Sequence, residues 1–215
     1  MRVASKSFLT KKDEIQLERA VKEIKSIPGV LGIVQIGSSV SSSKYNDIDL
    51  IIFFKRLLVP PELELIRKKY KKSKMWIEGA SIIYKDFNPG FKVFVKFFSN
   101  IKNKKLLFGK IPFGKSKIQL KKTDIAAYIW YHYHICEQYG QGYENALPNS
   151  INAMLSYLDI FPESKVQTLE LFIKKFPKLS KYLPKNPKAF LRGTKKSNFK
   201  QLYTFFEQSL NYFTE

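Results

Sequence analysis

Cysteine is nearly absent from this sequence: Cys136 is the single thiol among 215 residues. One cysteine excludes an internal disulfide framework and a metal site built from several thiolates. Histidine is almost as rare, and His132 and His134 are two positions apart. Their segment has a helical pattern, and on a helix two residues at this spacing point about 200° apart, so they do not share one metal ion.

Long hydrophobic runs are also missing. No apolar run approaches the roughly 20 residues that a membrane-spanning helix needs, and the N-terminal "MRVASKSFLTKKDEIQ" lacks the apolar segment of a signal peptide. The sequence is nevertheless 44% apolar and 15% aromatic, which is typical of a globular protein. We expect a soluble, cytoplasmic protein without a membrane partner, long enough for one large or two small domains.

Acidic residues are scarce: 18 of them stand against 38 basic residues, for a net charge of +20. The net charge is +2 over residues 1–50, +13 over 51–120 and +5 over 121–215, so the middle third carries the excess. Such a basic surface attracts polyanions by counterion release, which predicts a nucleic-acid partner, with RNA favoured. A lysine-rich surface that only keeps the protein soluble is the alternative.

The first half of the chain alternates between helical and extended patterns. Apolar spacing predicts a helix from a Thr10 capping box to Pro28, then the strands "VLGIVQI" and "DIDLIIFF". A further helix begins after two prolines at 60 and 61, and the strands "ASIIYK" and "FKVFVKFF" follow on either side of a "DFNPG" turn. This order implies an α/β (α+β) fold, with a small mixed sheet that is covered by helices on one face.

After residue 120 the pattern becomes helical. Four segments fit helices: "DIAAYIWYHYHICEQYG", "NSINAMLSYLDIF", "ESKVQTLELFIKKF" and "SNFKQLYTFFEQSLNYF". We expect breaks between them at Gly140, Gly142, Pro148, Pro162, Pro177 and Pro184. The sequence therefore predicts an α/β domain at residues 1–118 and an α-helical domain at residues 119–215.

Two aspartates open the second predicted strand, directly after a serine-rich loop. Side chains alternate along a strand, so Asp47 and Asp49 project from one face. Two carboxylates so close repel each other unless they hold a cation, and Mg²⁺, or Mn²⁺, suits such oxygen ligands. Before the loop, Gly37 allows a phosphate to approach the backbone, and Ser38, with Ser39 beside it, can donate hydrogen bonds to that phosphate. The pattern indicates metal-assisted transfer from a nucleoside triphosphate.

These residues also resemble a known signature. A strand that ends in Gly-Ser at 37–38, eight further residues and then "DIDL" at 47–50 resemble the DNA polymerase beta nucleotidyltransferase superfamily. That group includes CCA-adding enzymes, poly(A) polymerases and the minimal nucleotidyltransferases of prokaryotes, and the resemblance covers residues 12–98. It implies that Asp47 and Asp49 are catalytic metal ligands, and that the Gly-Ser turn binds the incoming triphosphate.

The resemblance also implies a third acid on a later strand. By order along the chain this strand is "FKVFVKFF", which contains no acid. Glu78 or Asp86 is the nearest substitute as a third metal ligand. With two acids alone, nucleotide binding could persist while transfer is slow or lost. The alternative is therefore an inactive relative that binds nucleic acid or a protein.

A second phosphate-binding pattern lies between the two predicted domains. "GKIPFGKS", Gly109 to Ser116, matches the P-loop of nucleotide hydrolases, although its interior is bulky and the residues after it have weak helical character. A basic connector is the other interpretation. Together with the basic helix at 62–74, this connector supplies the candidate nucleic-acid-binding residues, which are Arg67, Lys68, Lys71, Lys72, Lys110 and Lys115.

Overall fold

The chain forms two compact units. The computed structural model describes residues 8–56, 58, 60–83, 89–113, 118–139, 143–184 and 199–215. Contacts group Met1–Tyr84 with Lys102–Gly114 in the first unit, and Lys85–Ile101 with Lys115–Glu215 in the second. The division after residue 114 lies close to the expected boundary at 118, but the second unit also takes residues 85–101, which the sequence had assigned to the first.

The first unit is a four-stranded mixed sheet with helices. Its elements are α1 (Lys11–Ile24), β1 (Val30–Ile36), α2 (Ser38–Ser41), β2 (Ile48–Phe54), α3 (Pro61–Tyr70), β3 (Met75–Ser81) and β4 (Lys104–Gly109). The strand order is β3-β2-β1-β4. β1 is antiparallel to β2 and β4, whereas β2 and β3 are parallel and are joined through α3. The expected small mixed sheet is confirmed.

Local sequence signals explain where the first elements begin. The Thr10 hydroxyl accepts a hydrogen bond from the Asp13 amide at 3.2 Å and caps α1, as the capping-box pattern predicted. Leu17, Ala20 and Ile24 are buried on one face of this helix, at helical spacing. β1 has the predicted bounds, and β2 begins one residue later than predicted.

The core of the first unit lies on one face of the sheet. Alternate residues of β2 and β3 contribute to it, together with the apolar faces of α1 and α3. Its most buried members are Ala20, Ile24, Ile33, Ile48, Leu50, Ile52, Phe54 and Leu63. The opposite face of β2 and β3 carries the odd-numbered residues of β2 and the even-numbered residues of β3, and Asp49 is among them.

Two predicted strands were wrong. β3 begins at Met75, five residues before "ASIIYK", because buried Met75 and Ile77 alternate with exposed Trp76 and Glu78. "FKVFVKFF" belongs to a helix, α4 (Pro89–Asn100). A run that is apolar almost throughout fits both the period of a helix and the alternation of a strand, so packing decides which of the two it forms. Here a proline at the first helical position favours the helix.

The second unit is helical. Besides α4, it contains α5 (Lys122–Tyr139), α6 (Tyr143–Tyr157), α7 (Lys165–Lys175), α8 (Pro177–Ser180) and α9 (Phe199–Thr214). The predicted helical region is confirmed, although Pro148 lies inside α6 rather than breaking it. Buried residues on either side of this proline, Leu147 and Ile151, hold that helix in the core. The core also includes Ile125, Met154, Phe172, Leu202, Phe205 and Phe206.

No helix in the described ranges combines the length and the hydropathy that crossing a bilayer requires.

Candidate active site

The Gly-Ser turn and the aspartate pair meet at one end of the sheet. Ile36, the last residue of β1, is paired with Asp49 of β2. The next residue, Gly37, has a φ of 82°, and a Cβ there would lie 3.0 Å from the Asp49 Oδ2. The Gly37 amide donates to the Asn103 carbonyl at 3.0 Å, which fixes the turn. The Asp49 carboxylate thus lies directly against the glycine α-carbon, and a side chain at position 37 would displace it.

The two aspartates differ in exposure. Asp47 directly precedes β2 and is exposed, whereas Asp49 is partly buried. Because side chains alternate along an extended chain, residues two apart are directed to the same face. The structure brings Asp49 to the Gly-Ser turn, and Asp47 to the mouth of the same strand, at the solvent boundary. This arrangement has the features of a site that is open to a charged ligand.

The two serines after Gly37 have different surroundings. Ser38 is exposed. Ser39 is buried, and its hydroxyl accepts a hydrogen bond from the Gln35 Nε2 at 3.0 Å and donates to the Ile36 carbonyl at 3.4 Å. The Ser38 side chain is therefore accessible to a ligand, while that of Ser39 holds the turn together from inside.

A tyrosine in the serine-rich loop fixes the approach to the aspartates. The Tyr45 hydroxyl donates to the Asp13 Oδ2 at 2.7 Å and accepts from the Thr10 amide at 2.9 Å. The Lys74 Nζ lies 3.7 Å from the same Asp13 oxygen and 5.0 Å from the centre of the Tyr45 ring. The Tyr45 hydrogen bond is the main reason that the pKa of Asp13 is lowered, against the opposing effect of its burial. This cluster ties the loop to the first turn of α1.

A third acid lies on the strand beside β2. Glu78 of β3 is in register with Ile51, so its side chain is on the same sheet face as Asp49, about two residues further along. The placement of the implied third acid on "FKVFVKFF" was wrong because that segment is a helix, whereas Glu78, one of the two substitutes, lies on β3. Asp86, the other candidate, lies outside the described residues.

The Glu78 carboxylate is not gathered with the two aspartates. Its Oε1 accepts from the Trp76 Nε1 at 2.8 Å, and its Oε2 lies 3.7 Å from the Arg67 Nη2. Within the described ranges, no three histidine, cysteine, aspartate or glutamate side chains are grouped closely enough to hold a metal ion. Among the described residues, no third acid is therefore grouped with the aspartate pair.

Trp76 lies beside the candidate site and was not among the residues predicted from the sequence. It is paired with Asp49 across the parallel strands β2 and β3, and 55% of its surface is exposed. The alternation in "MWIE" was the signal that could have revealed it, since exposed Trp76 and Glu78 alternate with buried Met75 and Ile77. A large aromatic ring thus lies one strand away from the aspartate that contacts Gly37.

The predicted basic residues of α3 divide into two kinds. Arg67 is held by its neighbours: its Nε donates to the Ile77 carbonyl at 2.7 Å, and its Nη1 lies 3.4 Å from the Glu64 Oε2. Lys68 and Lys71 are exposed and make no ion pair with the described residues. Arg67 thus braces α3 against the edge of the sheet, while the two lysines are accessible to a ligand.

The other predicted basic residues lie further along the chain. Lys72 follows α3 and is exposed. Lys110 follows β4, is exposed, and donates its amide to the Leu31 carbonyl at 3.0 Å. Lys115 lies outside the described residues.

The P-loop interpretation does not fit the described part of its segment. Gly109 is the last residue of β4, an edge strand antiparallel to β1. A Cβ at Gly109 would lie 2.1 Å from the Leu31 carbonyl oxygen, so the close approach of the two strands accounts for this glycine. Residues 118–121 are not helical, and α5 begins only at Lys122. The helix that must leave a P-loop at its lysine is not found there.

The two histidines of α5 pack against aromatic rings. The His132 ring centre lies 4.6 Å from that of Tyr128, in an edge-to-face arrangement, and His134 stacks on Trp130 at 4.9 Å. Burial lowers the pKa of His132 to about 4 and raises the pKa of Tyr128. His132 is therefore neutral at physiological pH and contributes to packing.

The mixed sheet with helices on one face has the architecture of a nucleotidyltransferase-like fold, followed here by a helical region. A spectinomycin adenyltransferase from Enterococcus faecialis, solved with ATP and spectinomycin, is similar to this chain with a TM-score of 0.58 and 11% sequence identity. The likeness covers 96% of this chain and 100% of that one. No family model and no curated protein matches the sequence. At this identity, the likeness establishes the fold.

Proposed function

We propose that this protein is a metal-dependent nucleotidyltransferase, which transfers a nucleoside monophosphate from a nucleoside triphosphate to an acceptor hydroxyl. One observation carries the proposal: the Asp49 carboxylate lies against the α-carbon of Gly37, 3.0 Å from the position of a Cβ. An acid of the "DID" sequence and the Gly-Ser turn therefore form one site. The nucleotidyltransferase-like fold around this site supports the same function.

The residues at this site fit a divalent cation. Asp47 and Asp49 offer carboxylate oxygens at the mouth of β2, one exposed and one partly buried, and Mg²⁺ or Mn²⁺ prefers such ligands together with phosphate and water oxygens. When bound, such an ion would neutralise charge on the triphosphate and polarise the acceptor oxygen.

The chain's own residues bind and orient the nucleotide. Gly37 allows the phosphates to approach the backbone, and exposed Ser38 donates hydrogen bonds to them. Ser39 and Tyr45 hold the turn and the loop in place. The acceptor oxygen forms a bond to the α-phosphorus, the bond from that phosphorus to the bridging oxygen breaks, and pyrophosphate leaves. The hydroxyl proton passes to a carboxylate of the site or to water.

Glu78 is the acid that would complete the site. It shares the sheet face of Asp49, and its bond to Trp76 and its 3.7 Å pair with Arg67 are exposed interactions of modest strength. A cation bound near the aspartate pair would attract the Glu78 carboxylate more strongly than Trp76 or Arg67 does. We therefore assign Glu78 as the third carboxylate of the nucleotide-bound state.

The acceptor that the charge distribution favours is nucleic acid, and we propose RNA. The predicted contacts are Arg67, Lys68, Lys71, Lys72, Lys110 and Lys115. An inactive relative that binds nucleic acid or a protein is the second candidate, because no third acid stands beside the aspartate pair in the described residues.

A labelled-nucleotide transfer assay tests the proposal. Each of the four α-labelled nucleoside triphosphates is incubated with the protein, Mg²⁺ or Mn²⁺, and a pool of short RNAs, with a parallel arm that offers spectinomycin as the acceptor. We expect label on RNA, and a fall of at least about 100-fold for Asp47→Asn and Asp49→Asn, since even outer partners of a metal site are worth 10- to 100-fold. Label on spectinomycin but not on RNA would support the proposed transfer reaction and would show that the acceptor is not RNA.

Glu62, an exposed acid in the first turn of α3, provides a control for Glu78. Only Glu78 lies on the sheet face of Asp49. Glu78→Gln is expected to reduce transfer, and Glu62→Gln to leave it near the wild-type rate. If no label reaches any acceptor while the protein still binds RNA, the inactive relative is the correct interpretation.

A further inference from the structure

An exposed tryptophan lies at the edge of the sheet, next to the proposed active site. Trp76 is on β3, which is an edge strand, and its pairing with Asp49 puts the two α-carbons about 4.8 Å apart, the usual spacing of neighbouring strands. A tryptophan that is 55% exposed costs solvation free energy, since its large apolar surface remains in water.

When no nucleotide is bound, the indole is oriented by the Glu78 carboxylate. Its Nε1 donates to the Glu78 Oε1 at 2.8 Å, between two side chains on the same face of one strand. A ring that is already oriented loses little conformational entropy when a flat partner stacks on it. Trp76 therefore has the properties of a preformed stacking surface.

A cleft runs beside this indole, between α3 and the edge of β3. Its volume is about 380 Å³, within the range of sites that hold small ligands or single residues of a polymer. Its walls are formed by Glu64, Arg67, Lys68, Lys71, Met75, Trp76, Ile77 and Glu78. Apolar and aromatic surface on the β3 side thus faces a charged wall on the α3 side.

The charges of the cleft favour an anion on the α3 side. Glu64 and Glu78 are engaged with Arg67 and Trp76, whereas Lys68 and Lys71 are exposed and make no ion pair with the described residues. Lysines of this kind bind phosphates as mobile point charges. Single-stranded nucleic acid binds to an aromatic surface beside available lysines, because each base can stack on the ring and each nucleotide carries a phosphate that a lysine can bind.

We propose that this cleft binds single-stranded nucleic acid, with one base stacked on Trp76 and the adjoining phosphates at Lys68 and Lys71. Only the role of the bound strand as acceptor rests on the proposed function. A terminal base stacked on Trp76 would bring the end of that acceptor next to Asp49. Binding itself requires neither a nucleoside triphosphate nor a metal ion. It can therefore be measured when transfer fails, and its failure leaves the transfer assay unaffected.

Fluorescence provides a direct readout, because the chain has two tryptophans, Trp76 and Trp130. In Trp130→Phe protein, all tryptophan emission comes from position 76. Titration with a 12-residue oligouridylate or oligodeoxythymidylate, without nucleotide or metal, is expected to give a saturable loss of this emission. Quenching by either oligomer supports the proposal, and the comparison shows whether ribose is required.

Substitutions separate stacking from charge. By fluorescence anisotropy of a labelled oligouridylate, Trp76→Ala should weaken binding by about 5- to 150-fold, and Trp76→Phe should recover much of this loss. Lys68→Gln with Lys71→Gln should reduce the slope of log affinity against log salt by about 1.4. The matched control, Lys174→Gln with Lys175→Gln, removes two exposed lysines from α7 and should leave the slope unchanged.

Three results would overturn the proposal. Equal affinity of wild-type and Trp76→Ala protein for the oligomers would leave only a charged surface. Equal quenching by inorganic polyphosphate, which has no bases, would give the same conclusion. Binding of duplex RNA as tight as that of the single strand would exclude stacking on an unpaired base.

Discussion

The Tyr45 hydroxyl donates a 2.7 Å hydrogen bond to the Asp13 carboxylate, and so joins the loop that enters β2 to the first turn of α1. The two residues are 32 positions apart. Asp13 also accepts from the Thr10 hydroxyl at 2.8 Å, so one buried carboxylate both holds the capping residue of α1 and anchors a loop. Asp47 and Asp49 follow this loop. The position of the candidate site therefore depends on Asp13, which is not itself a candidate ligand.

Replacing Tyr45 by phenylalanine tests this anchor. The change leaves the Asp13 carboxylate without its main partner and the Thr10 amide without its acceptor, so we expect a loss of about 1–3 kcal/mol in the free energy of unfolding. Urea unfolding at pH 7 measures it, with Tyr212→Phe, an exposed tyrosine of α9, as the control.

The same variant has a predicted pH dependence. The pKa of Asp13 is lowered in the folded protein, so its contribution to stability is present above its unfolded pKa of about 3.9 and is lost as the pH falls through its folded pKa. The difference between wild type and Tyr45→Phe should therefore shrink below pH 4. A constant difference would mean that the hydrogen bond does not favour the ionised form.

Gly37→Ala tests the contact between the turn and Asp49. The added Cβ would lie 3.0 Å from the Asp49 Oδ2 at a φ of 82°, so we expect strain of about 1–3 kcal/mol together with a displaced carboxylate and reduced transfer. Gly29→Ala is the matched control: its φ is 88°, and its Cβ would meet the flexible Arg56 side chain instead. If both variants transfer nucleotide at the same rate per folded molecule, Gly37 is not part of the active site.

His132 is predicted to stay neutral well below the usual pH range of histidine. Burial lowers its pKa to about 4, so its contribution to stability is complete above its unfolded pKa of about 6.5 and is lost as the pH falls towards 4. Proton NMR can follow both imidazoles of the chain, with His134→Gln to assign them. We expect no titration of His132 between pH 7.5 and 5.5, and a midpoint near 6.5 would contradict its burial.

A buried lysine in the second unit gives a stability test. Lys96 on α4 is 3% exposed, and its Nζ lies 2.6 Å from the Asp159 Oδ1. Asp159→Asn keeps a residue that tolerates its φ of 58° but removes the charge, so we expect a loss of about 1–3 kcal/mol. In a Lys96→Met background, the same change should cost less than about 0.5 kcal/mol, because no ammonium is left unpaired. Equal costs in both backgrounds would show that the pair is not coupled.

Local sequence was sufficient for much of this protein. The capping box at Thr10, the bounds of β1, the Gly-Ser turn and the "DID" sequence are decided by neighbours within a few residues, and each was found where the pattern predicted it. The helical character of the second half followed from apolar residues that repeat at the helical period and not at the alternating period of a strand.

The tertiary structure decided the rest. "FKVFVKFF" fits both the helical and the strand period, so its helix depends on the core it packs into. Only the structure shows that Glu78, a candidate from the sequence, lies on the strand beside β2. Register alone makes Trp76 the neighbour of Asp49, and Glu78 the acid on the same face, because 27 positions of chain separate each pair of strand partners. Pairing between distant segments is set by the packing of a whole sheet, and no local pattern encodes it.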